Sequence, residues 1–271
     1  MYNKCIKNKK GRWSLRILAI GDLVGENGLK KAKEVLPELK KKENIDFVIV
    51  NGENVAGGMG ITHKLYKEII AMGVDVVTLG NHTWAKKDIF AFIDEEKRLI
   101  RPANYSEGLM GKGYVILPCK DKKIAVINLI GRTEINVLSE NPFTKVNKIL
   151  EEIKDKADYI IVDFHAEASA EKIAMGYYLD GKVSVIFGTH THVQTADETI
   201  LENGTGYITD IGMTGPKKSV IGMEVKASLK RFETSLPERY KLAEGECGFS
   251  GCIFEFNDEN SRTTDIKRIK M

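Results

Sequence analysis

No stretch of this chain approaches the roughly 18 consecutive apolar residues that a membrane-spanning helix requires. Its apolar runs, such as Tyr159–Val162 and Val183–Phe187, are strand-sized. CxxC spacing is also missing. Cys5, Cys119, Cys247 and Cys252 stand apart, which excludes a disulfide-dense scaffold and fits a reducing cytoplasm. Charge of one sign is lacking too: 41 Lys and Arg against 38 Asp and Glu leave a formal +3. That balance excludes a strongly basic nucleic-acid binder and a disordered polyelectrolyte. There is no internal repeat, low-complexity tract or Pro/Ser-rich linker. Histidine is the informative scarcity, with five in 271 residues, four of them inside chemical motifs.

What is present describes a globular protein with a full-sized core: 42% apolar and 29% charged residues over 271 positions. That length suits one large domain slightly better than two small ones. Residues 1–14 are basic, lack the apolar centre of a secretory signal, and precede the first core element. They read as an N-terminal extension. Two readings stand, a basic tail or a start assigned upstream of the native one, with the domain covering 15–271.

From Leu15 a strand–helix rhythm begins. Arg16–Ile20 reads as a buried strand closing at Gly21-Asp22, and Gly28–Lys42 carries apolar residues at helical spacing, with Pro37 a place for a kink. Phe47–Val50 is the next strand, and the glycines of Ala56–Gly60 make a mobile loop. Thr62 is placed to cap a helix through Met72, and Val74–Leu79 is a third strand. Asp88–Glu96 reads as a helix. Val115–Leu117 and Lys123–Leu129 flank a turn and predict an antiparallel hairpin. A helix over Phe143–Lys154 leads to strands at Tyr159–Phe164 and Val183–Phe187. Strand-like Gly206–Asp210, Cys252–Phe256 and Arg262–Ile269, with a helix over Ser228–Thr234, finish the chain. The alternation predicts an α/β protein, with two stacked sheets covered by helices.

Five strands end in a polar or chelating group: Asp22, Glu53-Asn54, Asn81-His82, His165, and His190 with His192. Ligands collect beyond the carboxyl ends of strands in α/β sheets, so groups distant in sequence can meet there. Each signal is weak alone, since Gly-Asp after a strand is usually a turn and a lone His165 after an apolar strand is usually a satisfied core residue. His190-Thr191-His192 is stronger, because extended backbone would put both imidazoles on one face, able to serve neighbouring metals. Taken in order, the set reads as a metal site. The other candidates are blander. His63 at a helix start reads as solvated or capping, and Gly57-Gly58-Met59-Gly60 lacks the Lys-Ser/Thr of a P-loop and reads as a lid. Met213–Lys218 stands evenly between pocket border and solvated surface, and Cys247 and Cys252 read as inert thiols.

The ordered blocks resemble those of calcineurin-like metallophosphoesterases: Gly21-Asp22, Gly52-Glu53-Asn54, Gly80-Asn81-His82, His165, and Gly188-Thr189-His190-Thr191-His192. Many members carry a histidine two residues after the first aspartate, where this chain has Val24, and the bridging acid here is Glu53. With Arg101–Asn104, Asp163–Ala168, Gly176–Gly181 and Asp210–Pro216, these features resemble the bacterial YmdB family from Leu15 almost to the end. The resemblance implies a four-layer αββα sandwich and a binuclear phosphodiesterase acting on 2′,3′-cyclic nucleotides through a metal-bridging hydroxide. It implies Asp22, Glu53, Asn54 and His192 on one metal, and Glu53, Asn81, His165 and His190 on the second. Oxygen and imidazole donors without thiolate suit two iron or manganese ions and admit zinc. Because adjacent side chains diverge, Asn81 can ligate while His82 faces the substrate as general acid.

The leading expectation is therefore a cytoplasmic phosphodiesterase yielding nucleoside 3′-phosphates. Its partner is a small cyclic nucleotide; RNA ends and a homo-oligomer stay open, and no membrane is involved. The alternatives are a broader phosphatase or 3′,5′-cyclic phosphodiesterase, and a regulatory nucleotide-binding protein with vestigial turnover. His82, which no metal needs, favours turnover.

Overall fold

The computed structural model describes residues 14–271. The N-terminal extension read over 1–14 lies outside these residues except for Ser14. In β1 (Arg16–Ile20), Ile17 and Ala19 enter one apolar cluster while Leu18 and Ile20 enter another. Both faces are covered, which is why the segment reads as a continuous apolar run. β2 (Asp22–Leu23) follows at once. α1 (Gly25–Glu43) buries Leu29, Ala32, Leu36 and Leu39, runs on through Pro37, and ends where the N–H of left-handed Asn44 donates to Lys40 O. β3 (Phe47–Asn51) leads to α2 (His63–Ala71), whose cap is Thr62, its Oγ1 accepting from the Leu65 N–H at 3.4 Å. β4 (Val76–Thr78) comes next.

The helix expected over Asp88–Glu96 does not form. Only Lys87–Ala91 coils, as a short 3-10 helix. Ile89, Phe92 and Ile93 all turn inward, and the chain tightens to i→i+3 bonds such as Phe92 N–H to Ile89 O. β5 (Leu99–Ile100) then completes a parallel run β1-β3-β4-β5.

The second half opens with the expected hairpin, β6 (Tyr114–Cys119) and β7 (Lys122–Ile130), paired antiparallel. α3 (Pro142–Ile153) is capped by Asn141, and β8 (Tyr159–His165) follows. α4 (Ser169–Leu179) is a helix that the sequence pattern did not reveal. β9 (Val185–Thr189), β10 (Thr199–Ile200) and β11 (Gly206–Ile208) join β6, β7 and β8 in a six-stranded sheet ordered β10-β11-β9-β8-β7-β6. The chain ends with β12 (Met213–Pro216), α5 (Val225–Thr234), β13 (Cys247–Gly248), β14 (Ser250–Phe256) and β15 (Thr263–Lys270). β14 pairs antiparallel with β1 and β15 antiparallel with β14, extending the first sheet to β15-β14-β1-β3-β4-β5, while β13, β12 and β2 make a small third sheet.

The protein is thus mixed α/β, and its core explains how the sheets meet. One cluster joins Ile17, Ile49 and Phe254 of the first sheet to Val126, Ile161 and Phe187 of the second. A second packs α1 and α2 against Leu18, Val48 and Val50, and a third packs α3 and α4 against Ile127, Val162 and Phe164. Phe187 and Phe254 stack across the two sheets with centroids 6.1 Å apart. Phe254→Ala should therefore cost about 3–5 kcal/mol in urea unfolding. Phe232→Ala, at a residue 76% exposed, should change stability by no more than about 0.5 kcal/mol.

Candidate metal centre

The parallel strands of both sheets deliver polar residues to one place. β1 passes through Gly21 to Asp22, β3 leads to Glu53 and Asn54, and β4 to Asn81 and His82. From the second sheet β8 ends on His165, and β9 runs into His190 and His192. Asp22, Glu53, Asn54 and His165 are buried, and the others are partly so. At one end, His165 Nε2 lies 2.8 Å from Asn81 Oδ1, 3.1 Å from Glu53 Oε1 and 3.0 Å from His190 Nδ1. At the other end, Asn54 Nδ2 lies 3.4 Å from Asp22 Oδ1, 3.4 Å from Glu53 Oε1 and 3.2 Å from His192 Nε2. Glu53 Oε1 belongs to both ends. Gly80 makes this density feasible, because a Cβ there would lie 2.4 Å from His165 Nε2 and 2.5 Å from Glu53 Oε2.

Asn81 and His82 do diverge. Asn81 faces His165, whereas His82 Nδ1 lies 2.7 Å from Asn54 Oδ1 and the His82 N–H donates to Glu53 Oε2 at 2.8 Å. The extended backbone expected over His190–His192 is not found. His190 and His192 have φ of 101° and 66°, left-handed values that cost a non-glycine residue about 1–3 kcal/mol each. The twisted turn, not strand alternation, sends His190 toward His165 and His192 toward Asp22 and Asn54.

Charge and hydrogen bonding are tightly interlocked here. Burial acts to raise the Asp22 carboxyl, but the hydrogen bond and positive charge of His192 outweigh it and hold it far below the usual range. Burial likewise raises Glu53, and the charge and hydrogen bond of His165 overcome it, so its net shift is downward. His192 is pushed up to about 9, since its bond to Asp22 and that carboxylate's charge exceed the cost of burial. His190 is pushed down to about 3 by burial and by the neighbouring His165.

Each imidazole is also held at its other nitrogen. His190 Nε2 lies 3.0 Å from Glu167 Oε2, and His192 Nδ1 donates to Ile221 O at 2.8 Å. His165 Nδ1 meets Thr189 Oγ1 at 3.0 Å, and Thr189 Oγ1 donates to buried Asp163 Oδ1 at 2.7 Å. Such partners fix which ring nitrogen faces inward. Sequence reasoning gave Asp163, Glu167 and Thr189 no role, although an acid inside an apolar strand such as Tyr159–His165 was a usable signal. His63 lies elsewhere, bonded to Glu96 Oε1 at 2.9 Å and stacked on Phe92. Met213 is in register with Asp22, while Lys217 pairs with exposed Glu246. Cys247 and Cys252 are buried thiols pushed up by burial.

This donor set fits metal cations. Glu53, His165 and His190 can each offer a ligand atom within 4.8 Å of the others. Donors sharing one ion at about 2.0–2.2 Å lie about 3 Å apart when adjacent, the spacing seen around His165 Nε2. A proton on that nitrogen serves one of its three acceptors at a time; a cation would serve every donor together.

A family model described as YmdB-like protein matches residues 18–269. The chain is 49% identical over 255 residues to a Bacillus subtilis (strain 168) protein named 2′,3′-cyclic-nucleotide 2′-phosphodiesterase, covering 94% of this chain and 96% of that one. A crystal structure of a Mycoplasma pneumoniae protein described as a novel phosphatase superposes with a TM-score of 0.90 at 35% identity, covering 95% of this chain and 93% of that one. A Thermus thermophilus protein described as hypothetical gives 0.89 at 39% identity, covering 95% of this chain and 99% of that one. Among the described residues no helix is long and apolar enough to cross a membrane.

The opposed histidine shifts predict the pH dependence of chelator-treated protein. His192 binds its proton more tightly when folded, so its contribution is full below the ordinary 6.5 and is lost as pH rises through about 9. His190 resists protonation when folded, so stability falls as pH drops from 6.5 toward about 3. Thermal melting should peak near pH 6.5. His192→Ala should flatten the alkaline limb and His190→Ala the acid limb.

Proposed function

The chain belongs to the YmdB-like family, and from that membership we propose that it is a binuclear metal-dependent hydrolase opening 2′,3′-cyclic nucleotides to nucleoside 3′-phosphates. The observation that carries the two-metal reading is the shared Glu53 carboxylate, whose Oε1 lies 3.1 Å from His165 Nε2 and 3.4 Å from Asn54 Nδ2. Asp22, Glu53, Asn54 and His192 would hold one ion, Asn54 with its amide turned so that the oxygen and not Nδ2 faces the ion, and Glu53, Asn81, His165 and His190 would hold the other. Oxygen and imidazole donors without sulfur favour iron or manganese, with zinc admissible. The shared cluster between the two large sheets supports a four-layer αββα sandwich, read here as a single domain over 15–271. Free, buried Cys119, Cys247 and Cys252 agree with a reducing cytoplasm. RNA ends bearing the same cyclic phosphate share the substrate's chemistry.

When bound, the ions supply Lewis acidity to the phosphoryl oxygens and a nucleophile from water at neutral pH. The chain supplies the rest. Before metal enters, the neighbouring histidines hold the Glu53 and Asp22 carboxyls below the usual range, so both would offer ionised oxygens as ligands. His165 and His190 are turned by Thr189 and Glu167 so that Nε2 of the first and Nδ1 of the second face the centre. His82 is not among those donors. With the Asn54 oxygen turned to the ion, its amide N–H would donate to His82 Nδ1, which puts the ring proton on Nε2 of a ring about one-third exposed. As water adds to phosphorus and gives up one proton to solvent, the P–O2′ bond breaks, the departing 2′-oxygen takes the His82 proton and the phosphate remains on O3′; a proton from solvent then restores His82.

His82→Ala should lower kcat for 2′,3′-cyclic nucleotides on the order of 10²–10⁴-fold, since a ribose alkoxide leaves poorly without a proton. A nitrophenyl phosphodiester, whose leaving group needs none, should lose far less, with metal content unchanged. Equal losses on both substrates would remove His82 as the acid. Wild-type product that is chiefly the 2′-phosphate would show that the leaving oxygen is O3′.

A further inference from the structure

Lys172 and Asp210 make the one Lys or Arg ion pair among the described residues with both side chains no more than 1% exposed. Lys172 lies on α4 and Asp210 just beyond β11, with Nζ 2.7 Å from Oδ2. Neither contacts the proposed ligand atoms directly. A buried ion pair is weak as a stabilising device, because desolvating both charges consumes most of their attraction. Its hydrogen bonds indicate another purpose. Asp210 Oδ2 also accepts from the Thr191 N–H at 3.1 Å and from Thr191 Oγ1 at 2.8 Å, while Oδ1 accepts from the Gly212 N–H at 2.8 Å. Thr191 is the residue between the two left-handed histidines. Gly188 keeps the route open, since a Cβ there would lie 2.9 Å from Lys172 Cδ and 1.8 Å from Thr209 O.

We propose that Lys172 and Asp210 are positioning residues that pin Thr191 and so hold His190 and His192 in divergent directions, one toward each cation. A turn with left-handed non-glycine residues on both sides of Thr191 would relax toward ordinary backbone without an anchor. The carboxylate provides that anchor with two hydrogen bonds to the same residue, one to backbone and one to side chain. Lys172 Nζ, 2.7 Å from Oδ2, fixes that carboxylate in a place that water does not reach. Released from Asp210, the turn would let both imidazoles wander, so the two metals would weaken together. The inference rests on the two-cation reading of the site.

The test measures metal affinity by chelator competition, with metal analysis and thermal melting, on wild type, Thr191→Val, Thr191→Ser and the double variant Lys172→Met/Asp210→Asn. The double variant removes both charges at once and leaves no lone buried ion. Wild type should bind two ions per chain, and Thr191→Ser, which keeps the hydroxyl, should match it. Thr191→Val and the double variant should bind both ions about 10–100-fold more weakly, with melting temperatures within a few degrees of wild type. If the double variant does not fold, the Val and Ser pair decides alone. Wild-type affinity in Thr191→Val, or an equal loss in Thr191→Ser, would overturn the positioning role while leaving the metal site intact. Wild type binding fewer than two ions would instead overturn the two-cation reading, and this inference with it.

Discussion

Asp22 and Glu53 are carboxylates almost wholly withdrawn from water, and each approaches the same Asn54 amide nitrogen at 3.4 Å. Two anions so placed would repel each other and forgo several kcal/mol of hydration unless the surroundings compensated. The neighbourhood does so in layers. Backbone N–H groups of His82 and His190 donate to Glu53 and Asp22, at 2.8 and 3.3 Å. His165 and His192 then supply positive charge when protonated. Divalent cations would complete the compensation more fully than protons, since one ion attracts every donor around it. The burial of these two acids is thus what the neighbouring loops, glycines and imidazoles are arranged to sustain.

The position of Val24 follows from the same crowding. Where the wider superfamily resemblance leads one to expect an imidazole, this chain has an apolar residue, 1% exposed and close to Gly215 and Gly222. Asn54 stands beside Asp22 instead and reaches both Glu53 and His192. Its carbonyl end also holds His82. One amide therefore links the buried acids to the residue assigned to proton transfer, and the acid's orientation depends on the same contacts that shape the first donor set.

Much of this was legible in the sequence, because strands buried on both faces and amphipathic helices leave distinct periodic signatures. β1, β3, β8 and the β6–β7 hairpin fall where apolar runs and turn residues put them, and α1, α2 and α3 follow their apolar spacing. The convergence of seven donor residues and His82 was legible too, since each closes a strand and parallel strands of a sheet end together. Three features were not. α4 carries Lys172 and Gly176 on its buried side, so its inward face does not look apolar. The 3-10 helix at Lys87–Ala91 has helical residue types, but inward-facing Ile89, Phe92 and Ile93 tighten the chain. The positive φ values of His190 and His192 are uncommon for any non-glycine residue and are seen only with their tertiary partners. Local preference cannot report a conformation that a distant carboxylate imposes.

The central claim is that two cations share Glu53 between the two donor sets. Anomalous diffraction from crystals of protein purified with its native metal, recorded on either side of the metal's absorption edge, tests it most directly. Two peaks about 3.5–4 Å apart, one beside Asp22, Asn54 and His192 and the other beside Asn81, His165 and His190, with Glu53 between them, are the predicted result. A single peak, or a pair that does not flank Glu53, would contradict it.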